Sequence, residues 1–386
     1  MTLSFEFATA AHILFGAGTF HQVGELARGL GRTALVVHGA RAARAQALQA
    51  ALVEAGIACW MFSVPGEPTI QMADEGACAA RHAGCDLVIG IGGGSVLDGG
   101  KAVAALATNP GSALDYMEVI GRGMPIRVTP LPFIAIPTTA GTGTEVTRNT
   151  VLFSPEHRVK VSIRHPLLLP RVAVVDPELT YSAPPAVTAA AGMDALTQLI
   201  EPFLSIRANP ITDGLAREGM RRVVRSLERA YALGSDPQAR EDMALASLFG
   251  GLSLANSGLG VVHGISGPLG GMFAAPHGAL CAQILPRAMR INVRAMRARA
   301  PHAPGLARAQ EVAILLTGAA AATPEDGVEW LEQIGRRLQI APLSQYGVTS
   351  EDIPALIEKS LAANGTKTNP IELTSAEVGE IIEASL

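Results

Sequence analysis

DLVIGIGGGSVLDGGKA occupies residues 86–102. Residues 86–91 form a run of strand length that is apolar after Asp86, Gly92, Gly93 and Gly94 break it, and Ser95 opens a segment with helical character. Length, breakers and composition together predict a strand that turns directly into a helix. Such a turn exposes backbone N–H groups with no intrahelical acceptor at the positive end of a helix dipole, which suits a phosphate group. Glycine lets the backbone approach phosphate oxygens, and Ser95 is expected to cap the helix while donating its hydroxyl. Taken alone, the glycine run also fits a tight turn with no ligand.

Working outward, β-branched runs alternate with alanine-rich stretches: 33–37, then 40–55, then 86–91, then 95–107. That alternation predicts a parallel sheet covered by helices. Further strands are expected at 133–137, 159–163 and 172–175, the last stopped by Asp176 and Pro177. After Pro184 and Pro185 the pattern changes to helical periodicity over 186–204, 213–233 and 240–257, and the chain reads as helical to its end at 374–386. Pro185 is a plausible first helical residue. The boundary falls near residue 182. The fold expected is an α/β, Rossmann-like dinucleotide-binding domain over 1–182 followed by an all-α domain over 183–386.

At 386 residues, the chain exceeds the size of roughly 250–300 residues at which single cores stop growing, so two domains are the default. Hydrophobic residues make up 48% and charged residues 17%, a globular balance. The net charge of −4 comes without a basic block, which points away from nucleic acid and membrane and toward a small-molecule partner. Cys59, Cys78, Cys85 and Cys281 form no CxxC pair and read as reduced core residues. The N-terminal residues lack a basic segment followed by a long apolar run, so a cytoplasmic address is expected. From Met243 to Pro286 there is no Asp, Glu, Lys or Arg. Its serines, prolines and glycines, with no aromatic belt, favour buried bundle helices over a membrane span.

A second strand and loop follows in IAIPTTAGTGTE, residues 134–145, crowded with hydroxyls and glycines. The pair GGGSVLDGGKA (92–102) and PTTAGTGTEVTRN (137–149), with the opening FGAGTF (15–20), resembles the iron-containing, group III alcohol dehydrogenases over nearly the whole chain. The resemblance implies a dehydroquinate synthase-like architecture and a homodimer. It also implies that Gly93, Gly94 and Ser95 meet a nicotinamide dinucleotide's pyrophosphate, with Asp98, Thr138, Thr139, Thr142, Asn149 and Lys160 around its ribose and nicotinamide. NAD or NADP stays open. The segment after 33–37 carries His38, Gly39, Ala40 and Arg41 where an acid would bind an adenosine ribose, and Arg41 and Arg44 could tolerate a 2′-phosphate or simply be solvated. Glu67 replaces the asparagine often found there in the family.

Asp194 and Gln198 stand four apart, so on a helix they share a face. His263 and His277 follow. In the family an aspartate and three histidines at these positions bind a divalent metal, Fe2+ or Zn2+, and the aspartate and histidines here are the expected catalytic group. Gln198 stands at the second ligand position and offers a neutral amide oxygen, a harder and weaker donor than imidazole. Gly267 occupies a position where many members carry a histidine that assists proton transfer. A proton would then leave through water, a ribose hydroxyl or a threonine of the 138–144 loop. A buried carboxylate in apolar surroundings demands a partner, which favours a shared cation over satisfied core residues. The function expected is hydride transfer between a nicotinamide and a small alcohol or aldehyde. Metal-independent reduction like that of maleylacetate reductases, a lyase like dehydroquinate synthase, and a binding protein without catalysis are the alternatives.

Overall fold

The structure, a computed structural model, describes residues 4–386. Its first part contains β1 (His12–Phe15), α1 (Val23–Arg28), β2 (Thr33–His38), α2 (Ala42–Glu54), β3 (Ala58–Ser63), α3 (Ile70–His82), β4 (Leu87–Gly92), α4 (Gly94–Thr108), α5 (Ala113–Tyr116), β5 (Phe133–Pro137), β6 (Asn149–Ser154), β7 (Val159–Arg164) and β8 (Val172–Val175). Six strands form one sheet in the order β1-β8-β5-β4-β2-β3, every neighbouring pair parallel. The strands read as nearly continuous apolar runs because both faces are buried. Ala34, Val36, Ile89, Ile91, Ile134 and Ile136 enter one core cluster, while their neighbours Leu35, Val37, Val88, Phe133 and Ala135 enter another.

The expected strand at 159–163 lies outside this sheet. As β7 it pairs antiparallel with β6, from Asn149 opposite Arg164 to Ser154 opposite Val159. A parallel neighbour needs a crossover of about a dozen residues or more, and the short turn between Ser154 and Val159 permits only a hairpin.

The second part is helical: α6 (Pro185–Leu204), α7 (Pro210–Ala232), α8 (Pro237–Ser257), α9 (Val261–Met272), α10 (His277–Arg299), α11 (Pro304–Thr317), α12 (Pro324–Arg337), α13 (Ile353–Ala362) and α14 (Ser375–Glu383). Met193, Leu196, Leu199, Ile200 and Phe203 of α6 recur at helical spacing and pack in one core with Met220, Val223 and Leu227 of α7. Among the described residues no single helix is long and apolar enough to cross a membrane. The apolar pair α8 and α9 is bent by 102°.

Ala8–Thr139 with Gly143–Tyr181 form one compact unit, and Ser182–Leu386 with Ala140–Thr142 belong to the other. Expected as core residues, the cysteines are all free thiols of mixed burial: Cys281 is buried, Cys59 and Cys85 are partly covered, and Cys78 is exposed.

Candidate active site

The β4–α4 junction holds the glycine turn. α4 starts at Gly94, and Gly93, in extended conformation, takes the N-cap position without a side-chain cap. Ser95 therefore lies inside the first helical turn, so the expected Ser95 cap is corrected: the chain already has cap geometry two residues earlier, at a glycine that tolerates it. Gly92 is required sterically, since a Cβ there would sit 2.5 Å from Cγ2 of Val96. β5 runs alongside with Pro137 opposite Gly92, and the Thr138 N–H donates to the Gly92 carbonyl at 2.9 Å. A Cβ on Gly93 would meet Thr139 Oγ1 at 3.4 Å, and one on Gly39 would meet Val96 Cγ2 at 3.4 Å. Gly39, Gly93, Gly94, Ser95, Thr138 and Thr139 thus gather at the carboxyl ends of β2, β4 and β5. Strand order reverses between β2 and β4, the place where open parallel sheets bind ligands.

Two turns into α4, Lys101 is 1% exposed. Its ammonium donates to Thr144 Oγ1 at 2.9 Å, Thr147 Oγ1 at 2.9 Å, the Thr147 carbonyl at 3.0 Å and the Asn149 carbonyl at 2.9 Å. Asp98, three residues before it on the same helix face, accepts from Thr144 Oγ1 at 2.6 Å and from the Val151 N–H at 3.2 Å. Burial pulls Lys101 down to about 8 against the opposing pull of Asp98 and Glu145. Burial likewise raises Glu145 to about 7 and raises Asp98 against the pull of Lys101. This network fixes the 144–151 segment to α4. Motif reading does not single out Lys101, although its spacing from Asp98 signals the pairing. Lys160, on β7, makes an ion pair with Glu67 at 3.0 Å. Thr142 belongs to the helical unit.

In the helical unit, α6 carries Asp194, Gln198 and Glu201, at i, i+4 and i+7 on one face, all buried. α9 brings His263 and α10 begins at His277. The first turn of α10 presses on α6 because residue 278 is glycine: a Cβ there would sit 2.0 Å from the Ala190 carbonyl oxygen and 3.1 Å from Cβ of Asp194. His263 Nε2 lies 3.6 Å and His277 Nε2 3.7 Å from Asp194 Oδ1. Glu201, which no motif flags, holds His263 from behind. Its Oε2 pairs with Nδ1 at 2.6 Å and its Oε1 accepts from the Val262 N–H at 2.7 Å.

The inner side of this cluster lacks partners. Asp194 Oδ1, Gln198 Oε1 and His263 Nε2 are buried without a hydrogen bond. Such atoms cost roughly 1–3 kcal/mol each, more when charged. The ligand atoms of Asp194, His263, His277 and Cys281 all lie within 4.8 Å of one another. Burial works against charge on His263, yet the adjacent Asp194 and Glu201 carboxylates hold its pKa up at about 9. Burial also opposes ionisation of Asp194, and the His277 charge together with His263 and Gln198 still lowers its pKa. The pocket calls for positive charge, and its carboxylate and imidazole donors fit a divalent cation. At Gly267 a Cβ would meet nothing within 4 Å.

Comparison with known proteins follows the same division. Residues 10–177 match the iron-containing alcohol dehydrogenases, and 188–386 match the C-terminal domain of the Fe-containing alcohol dehydrogenase family. Alcohol dehydrogenase 4 of Saccharomyces cerevisiae is 37% identical over 82% of this chain and 80% of its own length. The NAD-dependent methanol dehydrogenase of Bacillus methanolicus is 34% identical over 86% of each chain. A crystal structure of a 1,3-propanediol oxidoreductase superposes with a TM-score of 0.90 over 100% of both chains at 32% identity. Two halves matched end to end, on a dinucleotide-type sheet and a cation-seeking helical cluster, lead to one conclusion: this chain belongs to the iron-containing alcohol dehydrogenase family.

Proposed function

We propose that the chain interconverts a small alcohol and its aldehyde, with a nicotinamide dinucleotide held at the β4–α4 turn and a divalent cation held by Asp194, His263 and His277, with Gln198 one turn from Asp194. The observation that carries this reading is the pair Asp194 Oδ1 and His263 Nε2, buried, unpartnered and 3.6 Å apart. When bound, the cation supplies charge that favours an alkoxide and polarises a carbonyl, and the nicotinamide supplies the hydride acceptor or donor.

The chain's own residues do the rest. Asp194 gives the site its negative charge. Glu201 fixes the ring of His263 so that Nε2 faces Asp194, a second layer of support typical of metal-binding histidines. Buried Leu252, Ile265 and Leu269 are apolar components of α8 and α9, and exclusion of water strengthens every charge interaction inside. Position 267 carries no group to move a proton, so the proton leaves by another route, among them a hydroxyl of the 138–144 loop.

Both nicotinamides fit the reading. No carboxylate follows β2, and Arg44 is held below the usual guanidinium range by burial and by the charge of Arg41, a repulsion that a 2′-phosphate would relieve. The test is a screen of short alcohols and aldehydes against NAD and NADP, before and after chelation and with iron or zinc restored. Turnover that falls on chelation and returns with metal is expected. Full turnover in chelator would instead favour metal-independent reduction.

A further inference from the structure

Asp194, His263 and His277 bring three donors together, and residue 198 beside them is a glutamine. Its carbonyl oxygen, buried without a partner, is a neutral and weaker donor for a divalent ion than imidazole. A different donor stands in the convergent set. Cys281 lies one helical turn after His277 on α10, fully buried, with Sγ 3.6 Å from His277 Nε2 and inside the 4.8 Å group that includes Asp194 and His263. Asp194, 2% exposed, offers its unpartnered oxygen to the same space.

We propose that Cys281 is the fourth protein ligand of the cation, beside Asp194, His263 and His277. The inference rests on the cation site described above and names its chemistry. On binding, the thiol proton passes to solvent and sulfur coordinates as thiolate. Ser266 Oγ, which accepts from the thiol at 3.4 Å, can then turn to donate to the sulfur and support it. Two anions, Asp194 and the Cys281 thiolate, would balance a dication, with the two imidazoles as the remaining protein donors. Thiolate is a soft donor, so the site should prefer zinc or cobalt to iron, manganese or magnesium.

The cobaltous ion is the probe. Metal-stripped, reduced protein titrated with Co2+ should bind one equivalent and develop a near-ultraviolet sulfur-to-cobalt charge-transfer band together with the visible bands of a four-coordinate ion. C281S should still bind cobalt, at least about tenfold more weakly, without the charge-transfer band. Stoichiometric cobalt in the wild-type protein with no such band would overturn Cys281 as a ligand and leave the cation site standing. Retention of the band in C281S would overturn it too, by assigning the sulfur to Cys59, Cys78 or Cys85. Failure of the wild-type chain to bind cobalt at all would remove the cation site and this inference with it.

Discussion

Lys101 in the sheet unit and Asp194 in the helical unit are both buried charges on helices, and their surroundings differ in kind. The Lys101 ammonium meets four oxygens of the 144–149 segment, with Asp98 held by the same threonine. Around Asp194, a carboxylate oxygen, an amide oxygen and an imidazole nitrogen are buried with no partner. A completed network holds a loop in place and asks for nothing more. An uncompleted one is costly unless a cation completes it. The first cluster is a scaffold for the 144–149 segment, and the second is the part that the proposed cation would complete.

Removing each cluster's centre breaks the comparison most sharply. D194A should cut turnover by more than about a hundredfold, beyond the 10–100-fold typical of losing an outer partner, while thermal unfolding stays cooperative. Turnover assays beside a melting curve check this. K101A should act the other way round: it strands Asp98 and Glu145 as buried carboxylates without their cation, at a cost of about 3–5 kcal/mol measured by denaturant unfolding. If K101A leaves stability unchanged, the network is not the scaffold described.

A smaller effect separates holding a ligand from being one. E201Q keeps the shape behind His263 and weakens its orienting partner, so metal affinity should fall about 10–100-fold with the fold intact, as equilibrium dialysis would read. The smallest effect lies outside both clusters. Glu377 accepts from Arg299 at 2.7 Å and from the Thr374 N–H and hydroxyl, and these bonds hold its carboxyl at about 2. A carboxyl depressed in the folded state contributes stability above the ordinary carboxyl range and loses it as pH falls from about 4.5 toward 2. E377Q should therefore flatten the acid limb of the stability curve by roughly 1 kcal/mol or less and leave turnover untouched.

Much of the fold is legible in the amino-acid sequence. The strands at 33–37, 86–91, 133–137 and 172–175 stand out because two-sided burial makes them uninterrupted apolar runs. β1 and β3 do not stand out: each is a sheet-edge strand, and ACWMFS leaves Trp60 58% exposed, with no clean alternation to read. β7 is visible as a strand, while its membership in a hairpin depends on the turn length that precedes it.

In the site, helical spacing pairs Asp194 with Gln198, whereas Glu201 continues the same face without belonging to any motif. Cys281 reads as an ordinary core thiol, and only its four-residue spacing from His277 hints that the two share a face. The helix start at the glycine turn is read two residues late, at Ser95, because a glycine can hold N-cap geometry with no side chain to announce it.

Whether a cation completes the Asp194 cluster is decided by elemental analysis of the purified chain paired with turnover during metal removal and return. Wild-type protein should carry one divalent ion per chain, with activity that leaves and returns with it, and D194A should hold no stoichiometric ion. An ion-free chain that turns over at full rate would contradict the proposed cation site.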